Sequence, residues 1–194
     1  MKKKLLLLAA VAICAAIAVS GTLAYFTSED QVHNVITSSG VDIKIEEWQK
    51  TEDGLVPYPD DPIHAMPNTR VSKIATVKNE EAEAWIRAKF EVIIKDADGK
   101  EMNLSPETLA SIITLTMNGN DWLRKEGDGE WWYFNSAVKT SDSTSALFTE
   151  VVFDGPNMTN EYQNCTVEVI VKAQAVQTAN NSNSVLTASG WPAE

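Results

Sequence analysis

The two histidines have the most obvious capacity for metal chemistry, but their setting does not support it. His33 and His64 both lie in polar, loop-like sequence, and no His-Glu-x-x-His pattern places two ligands and a general base on one helix face. No Gly-x-Ser-x-Gly pattern occurs, and no histidine is placed to serve a serine as general base. We therefore expect no metal, no other cofactor and no catalytic residues, and the protein is predicted not to be an enzyme.

Residues 96–99 have a chemical and a structural interpretation. Asp96-Ala97-Asp98-Gly99 opens like a calcium-binding loop, but Lys100 follows and no glutamate closes the loop at the required position. Asp-Gly is also a favoured pair in the turn of a β-hairpin. The sequence therefore favours a hairpin turn at this point.

Five aromatic residues allow a binding surface or a packed core. Trp85, Trp122, Trp131, Trp132 and Tyr133 have the ring types of a sugar-binding platform, but such residues more often form core and cross-strand pairs. Trp131 and Trp132 are adjacent, so on a strand they point to opposite faces. At least one of these two is therefore a candidate for exposure.

Two cysteines are too few for a disulfide scaffold or a cysteine-rich zinc site. Cys14 lies inside an apolar N-terminal run, which leaves Cys165 as the one cysteine of the folded part. Cys165 shares a predicted strand face with Val167 and Val169, which favours a buried thiol that packs as a small hydrophobic group. The alternative is a disulfide between two copies of the chain.

Charge and composition narrow the classes of function. The chain has 194 residues with 16 Lys and Arg against 27 Asp and Glu, a formal net charge of -11. Nucleic-acid binding needs clustered basic residues, so this acidic balance argues against a nucleic-acid partner. A hydrophobic fraction of 44% is ordinary for a folded domain and argues against wholesale disorder.

Residues 1–24 have the layout of a secretory signal peptide. Lys2, Lys3 and Lys4 precede an apolar run from Leu5 to Val19, and small residues follow up to Ala24. The run is shorter than the roughly 20 residues that span a bilayer, so cleavage between Ala24 and Tyr25 is favoured over a permanent membrane anchor. Cleavage would remove three lysines and no acid, which leaves a charge of 13 − 27 = −14.

Alternating apolar and polar residues predict an antiparallel β-sandwich of the jelly-roll or immunoglobulin-like type. The predicted strands cover residues 41–46, 70–78, 84–94, 146–153 and 165–176, with a hairpin over 122–135. Ser105-Pro106-Glu107 predicts the start of one short helix. The prolines of residues 49–68 predict a loop. We assign residues 41–178 to the sandwich and residues 179–194, which include a run of Asn and Ser, to a flexible tail.

The N-terminal region resembles the TasA/camelysin family of secreted Gram-positive proteins. The resemblance lies in Gly21-Thr22-Leu23-Ala24-Tyr25-Phe26-Thr27, in the polar spacer after it, and in the strand that follows Ser39-Gly40. Met66-Pro67-Asn68 and the strand end Lys78-Asn79 also match the family pattern. The match covers residues 1–95 well and 163–178 loosely, and residues 96–162 match no quoted motif.

The resemblance implies a subunit of extracellular biofilm-matrix fibres, located in the matrix or at the cell surface of a Gram-positive bacterium. A SipW-type signal peptidase would cut at Ala24-Tyr25, after which the chain would have no membrane partner. Residues 25–40 would then contain a donor strand that pairs with a neighbouring copy and builds a head-to-tail homopolymer, with an accessory matrix protein as a possible further partner. The residues assigned to donation are Tyr25, Phe26, Val32, Val35 and Ile36.

Three other interpretations stay open. Residues 25–36 can instead form the first edge strand of their own domain, because Ser28, Asp30 and Asn34 share the parity of Phe26 and Ile36. Some camelysin-like relatives are described as metallopeptidases, so a cell-surface metallopeptidase is the enzymatic alternative. The third interpretation is a monomeric surface adhesion or accessory module.

Overall fold

The computed structural model describes residues 27–31, 34–36, 40–59, 63–64 and 66–193. The leader, the predicted cleavage point and the predicted donor residues Tyr25, Phe26 and Val32 lie outside the described residues, as does His33. Of residues 27–31 and 34–36, only the backbone is described.

The described residues form short and long strands with one α-helix. The helix is α1 (Pro106–Ile112). In chain order the strands are β1 (Thr27–Gln31), β2 (Asn34–Ile36), β3 (Ile43–Thr51), β4 (Gly54–Pro57), β5 (Ile63–His64), β6 (Arg70–Ser72), β7 (Ile74–Asn79), β8 (Ala84–Lys95), β9 (Ile113–Met117), β10 (Trp122–Arg124), β11 (Trp132–Phe134), β12 (Phe148–Phe153) and β13 (Thr166–Gln177).

The strands form two antiparallel layers. The first layer has the order β10-β11-β8-β13-β1-β2, and β5 adds to the start of β13. The second layer consists of β4-β3-β7 and β6-β12-β9. These two groups are joined because β6 and β7 are interrupted only at Lys73, whose N–H donates to the carbonyl of Thr149 at 3.2 Å. The predicted all-β antiparallel sandwich with one short helix is confirmed.

The long strands β8 and β13 are the centre of the first layer and pair over all twelve residues of each. Cys165, Val167, Val169, Val171, Ala173 and Ala175 are all buried, so the predicted inward face of β13 is confirmed. The side chains on this face meet Val41, Ile43, Val77 and Phe148 of the second layer in one apolar core. The core therefore lies between the two layers, as alternation of period two requires.

The helix and the hairpin turn form where local chemistry predicts them. The hydroxyl of Ser105 accepts the N–H of Thr108 at 3.2 Å and caps α1, whose first residue is Pro106. The Asp96 carboxylate accepts the N–H groups of Asp98 and Lys100 at 3.0 and 2.9 Å, and Gly99 adopts a φ of 79°. Residues 96–99 therefore form the predicted hairpin turn.

The loop predicted for residues 49–68 is wrong in part. β3 continues to Thr51 and turns back at Gly54, whose φ is 117°, into β4. β4 ends at Pro57, and β5 is a two-residue strand paired with the start of β13. The prolines limit the length of these strands without preventing pairing, because a proline is tolerated at the edge of a sheet.

The flexible tail predicted for residues 179–194 is also wrong for the part that is described. Residues 178–193 pack on the outer face of the first layer, where Val185 and Ala188 are buried against Trp85, Trp131 and Tyr133. Asn181 holds this segment folded, because its side-chain amide donates to the carbonyls of Gln177 and Ser189. The amide side chains that suggest disorder are thus used as internal hydrogen-bonding groups.

Candidate functional site

The N-terminal strand β1 occupies the edge of the central strand β13. Its register pairs Thr27 with Val176 and Gln31 with Lys172. On its other side β1 pairs with β2, in which Val35 lies opposite Asp30 and Ile36 opposite Glu29. Of the five residues assigned to donation, only Val35 and Ile36 are therefore within the described backbone.

The composition of β1 does not match the apolar strand on which it lies. All five of its residues are polar (Thr, Ser, Glu, Asp and Gln). Ser28 and Asp30 are the register partners of Ala175 and Ala173, both of which are fully buried. Pairing with β13 therefore supplies backbone hydrogen bonds to β1 but little burial of apolar side chains, which is the main source of stability in a sheet.

A buried arginine on the outer face of the first layer has no counterpart in the sequence predictions. The Arg87 guanidinium donates to Oε1 of Gln174 from two nitrogens, at 2.9 and 2.6 Å, and to the Tyr133 hydroxyl at 3.2 Å. It also lies 4.3 Å from the ring centre of Trp131 and 4.7 Å from that of Trp191. The Tyr133 hydroxyl in turn donates to Asp128.

This cluster anchors the C-terminal segment to the sheet. The ring of Trp191 meets that of Tyr133 edge-on at 5.8 Å, and the Trp85 indole N–H donates to the carbonyl of Ser182 at 3.0 Å. Trp85, Trp131 and Tyr133 are buried by these contacts. Their rings are therefore packing groups and are not available as a sugar-binding platform.

The remaining aromatic candidates are distributed between the core and the surface. Trp122 is buried and its indole N–H donates to the carbonyl of Ser145 at 3.2 Å. Trp132 is partly buried beneath the Arg124 guanidinium, 5.1 Å from the ring centre. Trp132 is thus the more exposed of the adjacent pair, while Trp131 just precedes β11.

Cys165 is buried, as the favoured interpretation predicts. Its Sγ lies 3.7 Å from the Met102 sulfur and 3.7 Å from the carbonyl oxygen of Glu161. Burial, with smaller effects from Asp96 and Glu161, raises the pKa of this thiol. A buried, protonated thiol is a poor partner for a disulfide between copies.

A largely buried ion pair lies at the interruption between β6 and β7. The Lys73 ammonium is 2.6 Å from Oε2 of Glu47 and 4.1 Å from the ring centre of Tyr58. Burial and then the charge of Glu47 raise the pKa of the Tyr58 hydroxyl. These contacts tie β3 and the end of the β3–β4 hairpin to the junction of β6 and β7, which is a structural role.

The described part of the chain does not bring metal-ligand types together. His64 is exposed on β5, and no group of three or more His, Cys, Asp or Glu side chains suited to a metal occurs among the described residues. In residues 27–31, 34–36, 40–59, 63–64 and 66–193, no helix is long and apolar enough to cross a membrane.

The described residues thus define an all-β sandwich whose N-terminal strand lies on an edge of its central strand. Comparison with protein-family models, with curated proteins and with solved structures finds no match to this chain. The site is therefore interpreted from its own geometry.

Proposed function

We propose that this protein is a secreted structural subunit of extracellular matrix fibres that polymerises through the N-terminal segment of its processed chain. The observation that carries the proposal is the mismatch between β1 and β13. Five polar residues cover an edge of the most central strand pair, opposite buried alanines. A strand held by backbone bonds and little apolar burial is well suited to leave its own domain and pair with another copy.

Two features of the sequence support the same proposal. The leader pattern of residues 1–24 indicates export, and its removal would make Tyr25 the first residue of a segment that is otherwise tethered. The segment leads directly into β3 of the same sandwich. The donated segment and the surface that accepts it are different parts of the chain, so donation from one copy to the next is head to tail. Head-to-tail contacts that do not close on themselves produce filaments.

A disulfide that locks β1 to its own β13 tests this function without deleting a strand. Gln31 and Lys172 are direct register partners. Opposed residues of antiparallel strands have Cα atoms about 4.5–5.5 Å apart, within the range that a disulfide spans. The chain beginning at Tyr25 with Gln31→Cys and Lys172→Cys is expected to stay monomeric when oxidised and to form filaments after reduction, as seen by electron microscopy.

The matched control locks a hairpin that has no part in donation. Lys50 and Leu55 are exposed register partners of β3 and β4, so Lys50→Cys with Leu55→Cys introduces a comparable disulfide elsewhere. This control is expected to form filaments whether oxidised or reduced. Filaments of the oxidised Gln31–Lys172 variant would show that release of β1 is not required, and the proposal would be wrong.

A further inference from the structure

An open groove with an apolar part lies beside β9, the outer strand of the β6-β12-β9 group. Its volume is about 680 Å³, and it is lined by β8, β9, α1, the residues that lead into α1, Glu130 and Lys172 of β13. Four charged residues form one part of the lining, and they are Lys89, Glu91, Glu130 and Lys172. Six apolar side chains of its wall are only partly buried, and they are Phe90, Val92, Leu104, Leu109, Leu115 and Met117. The groove is thus a gap in the side of the sandwich that exposes the edge of the core.

Two strand edges flank the groove. β9 pairs with β12 on one side, and no described strand pairs with its other side. The printed register of β8 with β11 covers Arg87 and Ala88, and no described strand pairs with that side of β8 from Phe90 to Ile93. Edges of this kind offer backbone N–H and C=O groups to an added strand.

β9 also lacks the features that protect the other outer strands from addition. β4 ends in Pro57, and β10 has three residues with Arg124 at its end. β2 has only three residues. β9 runs Ile-Thr-Leu-Thr-Met over five residues, without a proline or a charge. Short length, charge and proline are the usual protection of an edge strand, so β9 is the described edge best prepared to accept a partner.

We propose that this groove accepts residues 25–36 of a second copy, which adds as a strand along β9. This inference rests on the proposed function and names the acceptor for the released segment. Transfer of β1 to the β13 of another copy would exchange identical contacts and bury no new apolar surface. Insertion into the groove buries apolar side chains that are partly exposed in the single chain, which supplies a driving force for assembly.

The length and pattern of the segment fit the groove. Twelve extended residues span about 40 Å, more than the five residues of β9 require. Phe26, Val32 and Ile36 share one parity, so in an extended segment they fall on one face. Ser28 and Asp30 lie between them on the same parity, so the apolar ends of the segment would supply the burial.

Mixing two variants that each carry one introduced cysteine locates the acceptor. One preparation carries Gln31→Cys, whose odd position would lie on the outward face shared by the exposed Thr114 and Thr116 of β9. The second preparation carries Thr114→Cys or Thr116→Cys. A mixture assembled under reduction and then oxidised is expected to give a covalent heterodimer on a non-reducing gel. Unmixed wild-type protein is the control, since its Cys165 is buried.

The outcomes separate the inference from the function on which it rests. A heterodimer with a β9 cysteine supports the groove as acceptor. A heterodimer that forms only when the second preparation carries Lys172→Cys shows exchange of β1 onto β13, which keeps the proposed function and overturns the groove. No heterodimer with either acceptor overturns the groove, and filaments of the oxidised lock variant would overturn strand release itself.

A charge placed in the groove gives an independent measurement. Leu115 is partly buried on β9 at the groove, whereas Leu55 is 59% exposed on β4. Leu115→Lys is expected to abolish filaments while the chain remains a folded monomer by circular dichroism, and Leu55→Lys is expected to assemble normally. Normal filaments of a folded Leu115→Lys protein would overturn the proposal.

Discussion

The Arg87 guanidinium is the group whose removal should reveal most about how the C-terminal segment is held. Arg87 is 7% exposed, and its contacts join β8, β13, β11 and Trp191 of the C-terminal segment. Arg87→Met keeps the aliphatic stem and removes the charge and all five donors. The carboxamide oxygen of Gln174, itself fully buried, then loses both of its donors from Arg87.

The expected loss of stability follows from these contacts. Hydrogen bonds from a charged donor contribute about 1.5–3 kcal/mol each, and a cation over an aromatic ring contributes about 0.5–2 kcal/mol. The two bonds to Gln174 share one acceptor oxygen, so their contributions are not additive. We expect Arg87→Met to lower the free energy of unfolding by about 3–5 kcal/mol, in the range found when one partner of a buried polar cluster is removed.

Urea unfolding followed by tryptophan fluorescence measures this difference. The matched control is Arg70→Met, because Arg70 is exposed and its ion pair with Glu150, at 3.2 Å, lies on the surface. Exposed pairs contribute about 1 kcal/mol or less, so the control should differ little from wild type. If the two variants lose the same small amount of stability, the buried cluster does not hold the C-terminal segment and the reasoning is refuted.

Three further predictions concern single groups. Lys73→Met should lower the free energy of unfolding by about 3 kcal/mol because it leaves the Glu47 carboxylate without its buried partner, and adding Glu47→Leu should recover most of the loss in urea titrations. Native Cys165 should resist maleimide at neutral pH, because burial raises its thiol pKa, and react once urea unfolds the chain; rapid native labelling would contradict this. Hydrogen bonds, first from Ser145, lower the pKa of Asp121, so its contribution to stability is present above the unfolded pKa and is lost as pH falls through the lower folded value. Asp121→Asn should therefore flatten the dependence of the urea midpoint on pH below about 4, and an unchanged slope would argue against this group.

The sandwich was predictable because its long strands carry strong local signals. β8 and β13 have an apolar residue at every second position over most of their length, which is the pattern of a strand with one face in a core. Ser105 and Pro106 mark the start of α1 by capping chemistry that depends on no distant residue. Strands and helices that are determined by the pattern of their own residues could therefore be predicted from the sequence.

The outer face of the first layer was not predictable, because its signals are distributed along the chain. Arg87 falls on the face of β8 opposite to that of Ala88, so in the sequence it resembles a solvent-exposed residue. It is buried because the fold brings Gln174 and Trp191 into contact with its guanidinium, although they lie 87 and 104 positions away in the sequence. The polar run at 180–184 likewise suggests disorder, since nothing local shows that Asn181 satisfies backbone groups. Contacts of this kind depend on the register of distant strands.

The candidate site was predictable in part. The resemblance at residues 21–45 identifies the segment that the proposal releases, but it does not say which edge that segment leaves or which it joins. Residues 25–36 give a weak strand signal because Ser28 and Asp30 interrupt the apolar parity of Phe26, Val32 and Ile36. The same two polar residues are the register partners of buried alanines of β13. The interruption that weakens the sequence signal is thus the feature on which the proposed release of the strand rests.

Net charge and apolar insertion together determine how assembly should respond to salt. A chain that begins at Tyr25 carries −14, so copies repel each other at low ionic strength. Salt at about 0.1 M shortens the screening length to about 10 Å and weakens this repulsion, while burial of apolar side chains in the groove is not weakened by added salt. Filaments should therefore form faster as NaCl rises, as measured by light scattering, and Leu115→Lys should stay monomeric throughout. If salt instead dissolves the filaments, attraction between charged groups holds the copies together, and insertion of an apolar strand is not the force that drives assembly.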